Sequence, residues 1–345
     1  MSNEGQLTAD EIALYDRQIR LWGTDTQLRL RSAKVLVVNL GGVGSETVKN
    51  LVLGGLNTIE ILDGSVVKEE DFAAQFFLPN DDSVVGDLKL PLILPRIQEL
   101  NPRVNLSINT TKLEDVPLSY YKNFDLVVAT EVTKEQILAI NKITRDHKIP
   151  LFVAGEHGMF GYIFTDLIEH SSTKEHTVGN HPRQPGTKIN EVKEVVKVDL
   201  KGDGETELVT IVDKFVPLSS IFSSSKLPLQ LSKRQLKRLT GALPLILALF
   251  EFKRPTNPEE IIDTAQLLEK AEQVCDVLGV SRHVITEEDL RNFATQCYTE
   301  FSPVAAILGG FLAQDIIQFF GKKDSPINNC LIFDGLRSEA PIYFL

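Results

Sequence analysis

Short, largely apolar runs alternate with longer amphipathic segments through the first half of the chain. Runs of this kind are typical of strands in a parallel sheet that is covered on both faces. The predicted strands are Lys34–Asn39, Thr58–Asp63, Val104–Asn109, Asp125–Thr130 and Pro150–Ala154.

The segments between these strands predict helices at Gly44–Leu53, Leu88–Leu100 and Lys134–His147. Two prolines in the second helix indicate that it begins late or is kinked. The alternation predicts an α/β fold with a doubly wound, mainly parallel, Rossmann-like sheet. A further strand, Gly161–Leu167, follows after a turn too short for a crossover helix, so we expect it to be antiparallel.

The pattern changes after Glu169. Residues 170–188 are polar and predict a loop, and Glu194–Leu200 with Thr206–Val212 predict a hairpin. The remaining chain predicts an added helical segment and a closing strand, with helices at Leu231–Phe252, Pro258–Leu278, Glu287–Glu300 and Val304–Phe320 and the strand at Asn329–Asp334.

The pattern of predicted strands and helices divides the chain into four parts. Residues 1–169 form the Rossmann-like half, 170–230 a loop and hairpin insertion, 231–302 a helical segment, and 303–345 a closing helix and strand that return to the first part. Gly309 and Gly310 lie inside the last helix, where each costs about 1 kcal/mol relative to alanine. We therefore expect another backbone to pack closely there, in a large obligate interface.

A helix precedes the first strand, which is unusual for a chain that opens on a dinucleotide-type fold. Thr8 and Glu11 form a capping box, and Gly23 ends the helix. Its predicted buried stripe consists of Ile12, Tyr15, Ile19 and Trp22.

Arg17 and Arg20 lie beside each other on this helix, about one turn apart. From the pattern alone, the helix could simply dock onto the sheet, with its arginines solvated or paired to Asp16. A role in binding an anion is the alternative.

The composition of the chain counts against several classes of partner and location. The net charge of −11 counts against nucleic acid as a partner, and no apolar run approaches the ~20 residues that span a membrane. The polar first residues carry no signal peptide pattern, and three cysteines without a CxxC pair fit a reducing compartment. Three histidines, His170, His176 and His181, match no metal-ligand spacing, so we predict no metal site.

A glycine-rich turn is the candidate phosphate-binding site of this chain. Gly41, Gly42 and Gly44 follow a strand and open a helix, where backbone N–H groups can hold a phosphate, and Asp63 ends the next strand, where an acid can bind a ribose. The alternative is a glycine turn kept for packing. A dehydrogenase would need an acid/base pair for hydride transfer, which the sequence does not supply, and Glu156-His157 has no candidate nucleophile beside it.

These features together resemble the adenylating domain of the ubiquitin-like-protein activating enzymes and of their bacterial relatives in sulfur-carrier activation. The resemblance spans nearly the whole chain, and it is strongest to small subunits of the SUMO-activating type. It is carried by Tyr15–Gly23, Gly41–Glu46, Asp63, Gln75-Phe76, Val85-Gly86 with Lys89, Asn101-Pro102, Pro303–Gln314 and Phe333-Asp334-Gly335.

The departures from the family pattern concern the nucleotide pocket. Active members carry an asparagine and an arginine where this chain has Ala73 and Ala74, and Asn39 replaces the first glycine of the loop. A second acid after Asp63 is missing, and Glu131-Val132 stands in place of Asp-Asn. The resemblance therefore implies a degenerate pocket in which Gly41, Gly42, Gly44, Asp63 and Lys89 remain but no nucleotide is held.

By the same resemblance, the chain is an inactive partner of a large catalytic subunit. That subunit would bind ATP and Mg²⁺, adenylate SUMO and transfer it to its own cysteine, while Arg17 acts in trans and Arg20 supports it. The chain itself would bind neither cofactor, and its location would be the nucleus, with the cytoplasm as the alternative. Two other functions stay open: the small subunit for another ubiquitin-like protein such as NEDD8, and a stand-alone dinucleotide-binding oxidoreductase. A non-enzymatic nucleotide-binding scaffold is a further alternative.

Overall fold

The computed structural model describes residues 6–179, 183–225, 227–255 and 261–345. Within these ranges the strands form one eight-stranded and one three-stranded sheet. They are β1 (Lys34–Val38), β2 (Thr58–Leu62), β3 (Asn105–Asn109), β4 (Leu126–Thr130), β5 (Leu151–His157), β6 (Phe160–Asp166), β7 (Glu169–Thr177), β8 (Lys193–Leu200), β9 (Thr206–Lys214), β10 (Cys330–Asp334) and β11 (Ile342–Tyr343).

The large sheet has the strand order β11-β10-β6-β5-β4-β1-β2-β3. β1 pairs in parallel with β2 on one side and with β4 on the other, so the winding reverses direction at β1. The next pairs outward, β2 with β3 and β4 with β5, are also parallel, whereas β6 runs antiparallel to β5. The predicted doubly wound, mainly parallel fold is confirmed.

Helices cover both faces of this sheet. They are α1 (Ala9–Leu14), α2 (Asp16–Trp22), α3 (Thr24–Ser32), α4 (Gly42–Leu53), α5 (Lys89–Leu100), α6 (Lys134–Asp146), α7 (Leu227–Gln230), α8 (Lys233–Lys237), α9 (Ala242–Leu249), α10 (Thr264–Leu278), α11 (Glu287–Ala294) and α12 (Ser302–Gly321).

Two hydrophobic cores lie on opposite faces of the large sheet. Alternate residues of β1 divide between them: Leu36 and Val38 join α6, α9 and α10, and Val35 and Val37 join α4, α5 and α12. This division follows from the two-residue period of a strand. Because both sets are apolar, β1 is buried on both faces.

The prediction of a loop at 170–188 is wrong over its first half. β7 occupies Glu169–Thr177 and pairs antiparallel with β9 along its whole length, and β8 pairs with the other edge of β9. Along β7, His170 and Ser172 are buried and His176 is half-buried, and the other residues of the strand are exposed. The strand therefore depends on its backbone pairing rather than on an apolar face, and its polar sequence concealed it.

The helical segment is more broken than predicted. The single helix expected at Leu231–Phe252 is two helices, α8 and α9, separated by a turn at Gly241. A Cβ at that glycine would lie 3.2 Å from Asp289 of α11, so the turn packs closely against it. The next helix begins at Thr264, where Asp263 caps it, and residues 258–260 of the prediction lie outside the described residues. α11 ends at Ala294, six residues before the predicted end at Glu300.

α12 is 20 residues long with a mean hydropathy of 1.5, so by length and composition alone it could cross a membrane. The expectation that no apolar run approaches this length is therefore corrected. Half of the helix is buried inside the domain, where it packs on α4. Gly309 permits this packing, because a Cβ there would collide with Glu46, whereas Gly310 faces open space.

A buried ion pair fixes the point where the chain leaves the large sheet. Asp166, at the end of β6, is fully buried and accepts two 2.7 Å hydrogen bonds from Arg145 and one of 2.8 Å from Asn141, both on α6. Arg145 also donates to the Phe215 carbonyl, and the Leu218 amide donates to Asn141. The two ends of the three-stranded insertion are thus fastened to the same helix.

Candidate functional site

The glycine-rich turn connects β1 to α4 at the carboxyl edge of the sheet. Asn39 has a left-handed backbone (φ 61°), and its side chain donates a 2.9 Å hydrogen bond to the Thr130 carbonyl. Asparagine is one of the few residues that tolerate this conformation, which explains how it replaces a glycine here. A Cβ at Gly44 would lie 3.0 Å from the Asn39 carbonyl oxygen, so this position needs glycine for close packing.

Asp63 holds the turn rather than facing an open pocket. One carboxylate oxygen accepts the Leu40 amide at 3.0 Å, and the other accepts the Ser65 amide at 2.8 Å. The side chain is 5% exposed. The structure thus gives Asp63 a role in joining the ends of β1 and β2, with both oxygens engaged.

Lys89 is likewise engaged. Its ammonium group lies 2.9 Å from Asp71, and both side chains are nearly buried. The second oxygen of Asp71 accepts the Lys68 amide at 2.8 Å, which caps the short helical turn Glu69–Ala73. Lys89, which the sequence analysis kept as a residue of the degenerate pocket, is therefore neutralised by Asp71.

The alanine pair shapes the floor of the pocket. Ala73 is exposed, but Ala74 is buried. The Cβ of Ala74 is so close to Gly42 that a Cβ added to this glycine would lie only 2.8 Å from it. Gln75 donates to the Leu40 carbonyl at 2.8 Å and also to Ser45, so it ties the same turn to α4. Ala74 brings no donor to the loop, and it packs so closely that the space beside Gly42 is filled.

Three glutamates converge on the glycine-rich turn. Glu300, in the connection from α11 to α12, accepts a 3.0 Å hydrogen bond from the Gly42 amide, and a Cβ at Gly41 would collide with it. Glu131, after β4, accepts the Glu156 amide at 2.9 Å. The Glu156 carboxyl lies 3.1 Å from where a Cβ at Gly42 would be.

Glu156 is the most deeply buried of the three, at 1% exposure, and neither carboxyl oxygen makes a hydrogen bond of ordinary geometry. Burial, followed by the charges of Glu131 and Glu300, raises its pKa to about 9, although the Phe301 backbone amide opposes the shift. Burial and Glu300 raise the pKa of Glu131 to about 7, and burial also raises that of Glu300. Burial thus raises the pKa of all three glutamates, and Glu156 is the one whose pKa lies well above neutral pH.

The next residue, His157, lies against a small cavity of about 60 Å³ lined by Tyr162, Phe250, Tyr298 and Arg254. Its Nδ1 accepts the Tyr298 amide at 3.2 Å, and burial, followed by the charge of Arg254, lowers its pKa to about 3. The ring is therefore neutral and acts in packing.

The N-terminal helix differs from its prediction in two ways. It is broken at Tyr15 into α1 and α2, and Ile12 is 48% exposed rather than buried. Tyr15 is buried, and its hydroxyl accepts a 2.8 Å hydrogen bond from Asn101. Gln18 donates to the Leu53 carbonyl at the end of α4 at 3.1 Å. The predicted capping box of Thr8 and Glu11 is confirmed.

The two arginines have different surroundings. Arg20 forms an ion pair with Asp16 at 3.0 Å, although its side chain remains 77% exposed. Arg17 is exposed and has no partner within the described part of the chain. Because Tyr15 and Gln18 fix the backbone on both sides of it, Arg17 projects from an anchored helix as a free cation.

Large apolar side chains are exposed around α4. Leu14 and Leu21 project from α1 and α2, Leu53 ends α4, and Ile307 and Phe311 lie on the outer face of α12. α12 packs on α4, and α2 contacts the end of α4 through the hydrogen bond from Gln18 to the Leu53 carbonyl. Exposed apolar side chains that form one contiguous patch are typical of an interaction surface.

No group of three or more His, Cys, Asp or Glu side chains among the described residues could hold a metal ion. His170 and His176 lie on β7, and His181 lies outside the described residues. Sequence reasoning located the glycines, Asp63 and Lys89 but assigned no role to Glu156 and did not consider Glu300. A glutamate within the apolar run of β5 was the available signal for Glu156.

A model of the ThiF family matches residues 15–343, so the chain belongs to that family. This confirms the resemblance at the level of the ubiquitin-like-protein activating family. The chain is 41% identical over 343 residues to the DNA damage tolerance protein RHC31 of Saccharomyces cerevisiae, with 98% of each chain covered. It is 34% identical over 345 residues to the SUMO-activating enzyme subunit 1 of Homo sapiens, covering 97% of this chain and 95% of that protein.

Proposed function

We propose that this chain is the non-adenylating subunit of a heterodimeric SUMO-activating enzyme. Support comes from its likeness, along nearly the whole length, to proteins named SUMO-activating enzyme subunit 1, the Mus musculus protein among them at 33% identity. The observation that carries the proposal is the pairing of a filled nucleotide pocket with a free arginine on an anchored helix.

A nucleotide does not fit the pocket of this chain. Glu300 accepts the amide of Gly42, each oxygen of Asp63 accepts a backbone amide, and Lys89 is paired with Asp71. Ala74 supplies no donor to a phosphate oxygen. We therefore derive no chemical step here and assign ATP and Mg²⁺ to the large catalytic subunit, which would adenylate SUMO and pass it to its own cysteine.

Arg17 is the residue of this chain that would act in the reaction. Negative charge develops on the departing pyrophosphate, and a guanidinium suits it because it stays charged and offers forked donors to phosphate oxygens. The Tyr15–Asn101 and Gln18–Leu53 hydrogen bonds hold the helix that bears it, so little ordering would be needed on assembly. Arg20, already paired with Asp16, would support the helix.

The partner is proposed to cover the exposed apolar side chains around α4, including those of Ile307 and Phe311 on α12. Obligate pairs bury roughly 2,000–5,000 Å² and are more hydrophobic than transient ones. SUMO would be reached through the complex. We further propose a nuclear location, with the cytoplasm as the alternative, and neither nucleic acid nor membrane as a partner.

Arg17→Ala in the reconstituted heterodimer tests the trans-acting role. Losing one preorganised donor typically costs about 10²–10³ in rate, or roughly 2.7–4 kcal/mol, so single-turnover SUMO-adenylate formation at saturating ATP should slow on that order. Arg17→Lys should recover only part of the rate, because a point charge does not reproduce the fork. Arg20→Ala, whose partner is Asp16, is the matched control and should be milder.

Gel filtration of each variant establishes that the heterodimer forms. If Arg17→Ala assembles and adenylates at the wild-type rate, the helix only docks and the trans-acting role is wrong. ATP–pyrophosphate exchange with SUMO should stay at background for this chain alone and appear when the large subunit is added. Exchange by a preparation free of the partner would contradict the filled-pocket argument.

A further inference from the structure

A cavity of about 490 Å³ lies on the face of the large sheet opposite α4 and α12. Two residues of its wall, Leu239 and Val284, pack in the core that α6, α9 and α10 share, whereas α4 and α12 cover the other face. The cavity is therefore separate from the glycine-rich turn and from the surface proposed for the catalytic partner. Its volume is within the range of about 300–1,000 Å³ that is usual for small-molecule sites.

Cationic side chains collect in this cavity, although the chain as a whole carries a net charge of −11. The described lining contains three permanent cations and a histidine against one carboxylate: Lys237, Arg238, Arg337, His283 and Glu339. Arg238 lies 3.8 Å from Glu339, and these two side chains are 67% and 38% exposed. Lys237 is exposed and has no partner among the residues that the structure describes. The charge of Lys237 and much of that of Arg238 are thus available to a ligand.

The fold holds Arg337 in place at the wall of the cavity. Its guanidinium lies 2.9 Å from Asp289 and 3.1 Å from Asp334, and both carboxylates are nearly buried. Asp289 is itself fixed, because its other oxygen accepts the Thr286 amide at 3.3 Å. Backbone hydrogen bonds between Asp334 and Glu339 close the loop that bears Arg337. A guanidinium has five N–H donors, so these two carboxylates balance its charge but leave further donors for a ligand.

Hydroxyl groups make up part of the remaining lining. The Ser281 hydroxyl accepts the His283 amide at 3.3 Å, and the Thr286 hydroxyl accepts the Asp289 amide at 3.0 Å. Because both oxygens act as acceptors towards the backbone, their hydrogens can be donated into the cavity. Such donors, next to arginine and lysine, suit a phosphate group, whose charge of roughly −1.5 to −2 at pH 7 exceeds that of a carboxylate.

We propose that this cavity binds a phosphate monoester, with the phosphate among Lys237, Arg238 and Arg337 and the polar esterified group beside the hydroxyls. The same chemistry is offered by a small sugar phosphate and by a phosphorylated side chain of another protein. Glu339 is the one group of the described lining that opposes the ligand, and the phosphate would take its place beside Arg238.

The test measures amide hydrogen exchange of the peptides 281–286 and 334–340 in the full-length chain, alone or in its complex. Glucose 6-phosphate and a phosphoserine peptide are the probes, and glucose and the unphosphorylated peptide are their controls. A phosphorylated probe should slow exchange of both peptides at about 1 mM or below, whereas the controls should not. The probe that protects at the lower concentration identifies the source of the ligand. Because the readout is local, phosphate bound by a partner subunit does not interfere.

Variants of exposed residues keep the test independent of folding. Lys237→Ala should raise the half-protecting concentration about tenfold, as expected for the loss of one charge-assisted hydrogen bond. Glu339→Gln removes the opposing charge and should lower this concentration several-fold. Lys122→Ala and Glu114→Gln change exposed residues elsewhere and should bind as the wild type does.

Three results would overturn the proposal. The first is that neither phosphorylated probe protects the two peptides. The second is that Lys237→Ala and Glu339→Gln both respond as the wild type does. The third is that inorganic phosphate protects as well as the esters, which would indicate an adventitious ion only.

Discussion

Glu156→Gln perturbs the buried carboxyl at the centre of the pocket, and its effect on stability depends on pH. The folded protein keeps a proton on Glu156 up to a pKa of about 9, whereas an ordinary glutamate has a pKa of 4.5. Between these two values the folded state binds more protons than the unfolded state, so the free energy of unfolding falls as pH rises. The loss amounts to about 1.4 kcal/mol per pH unit for one proton.

The informative window is about pH 7.5–8.5. His157, with a pKa of about 3, and Glu131 and Asp315, each with a pKa of about 7, have titrated below it. Burial also raises the pKa of the Cys275, Cys297 and Cys330 thiols and of Glu300, and these groups contribute to the slope of the wild type and of the variant alike. The wild type should therefore lose about 1.4 kcal/mol more than Glu156→Gln across this unit of pH.

Glutamine cannot ionise, so the stability of Glu156→Gln should fall less steeply with pH over the same window. Its absolute stability is less diagnostic, because a buried amide without a partner costs about 1–3 kcal/mol and offsets part of the gain. The slope is therefore the quantity to measure, by urea denaturation at each pH. Glu114→Gln, which changes an exposed glutamate, should keep the wild-type slope. A wild-type slope below about 0.5 kcal/mol per pH unit, or an equal slope in Glu156→Gln, would refute the assignment.

Two further predictions concern the insertion and the interface. Asp166→Asn removes the charge that accepts both hydrogen bonds from Arg145, so urea denaturation should show that the free energy of unfolding falls by about 3–5 kcal/mol. The control Asp146→Asn changes an exposed side chain and should alter this free energy little. Equal stabilities of the two variants would count against the ion pair. Phe311→Asp should abolish co-purification with the large subunit without changing the circular dichroism spectrum, whereas Val277→Asp, exposed on α10, should assemble normally. Normal assembly of Phe311→Asp would remove α12 from the interface.

Local sequence was sufficient to predict the large sheet, because its strands and helices show clear patterns of apolar and polar residues. β1 to β6 appear within a few residues of their predicted positions, since apolar runs of this length have few alternatives in an α/β chain. β7 was missed because its sequence is polar and its partner, β9, lies about thirty residues further on. The break between α8 and α9 was missed because it depends on a neighbour, Asp289, that packs against Gly241.

For the site, the sequence located the loop but not the groups that surround it. Asp63 and Lys89 were recognised by position, yet only the structure shows that their charges are already satisfied by the Leu40 and Ser65 amides and by Asp71. Glu300 lies 258 residues from Gly42, and no local pattern connects the two. Contacts of this kind depend on how the β5–β6 turn and the connection to α12 pack together, which a single sequence does not encode locally.

The filled pocket also explains why a glycine-rich loop persists in a chain that is proposed not to use ATP. The helix start at Gly42 is buried, and a buried amide without a partner costs about 1–3 kcal/mol. In a pocket that holds no nucleotide, that amide needs a partner from the chain itself. Glu300 is this partner, at 3.0 Å. The Glu300 carboxylate thus satisfies the buried amide without a nucleotide, and the exposed Arg17 stays available to a partner.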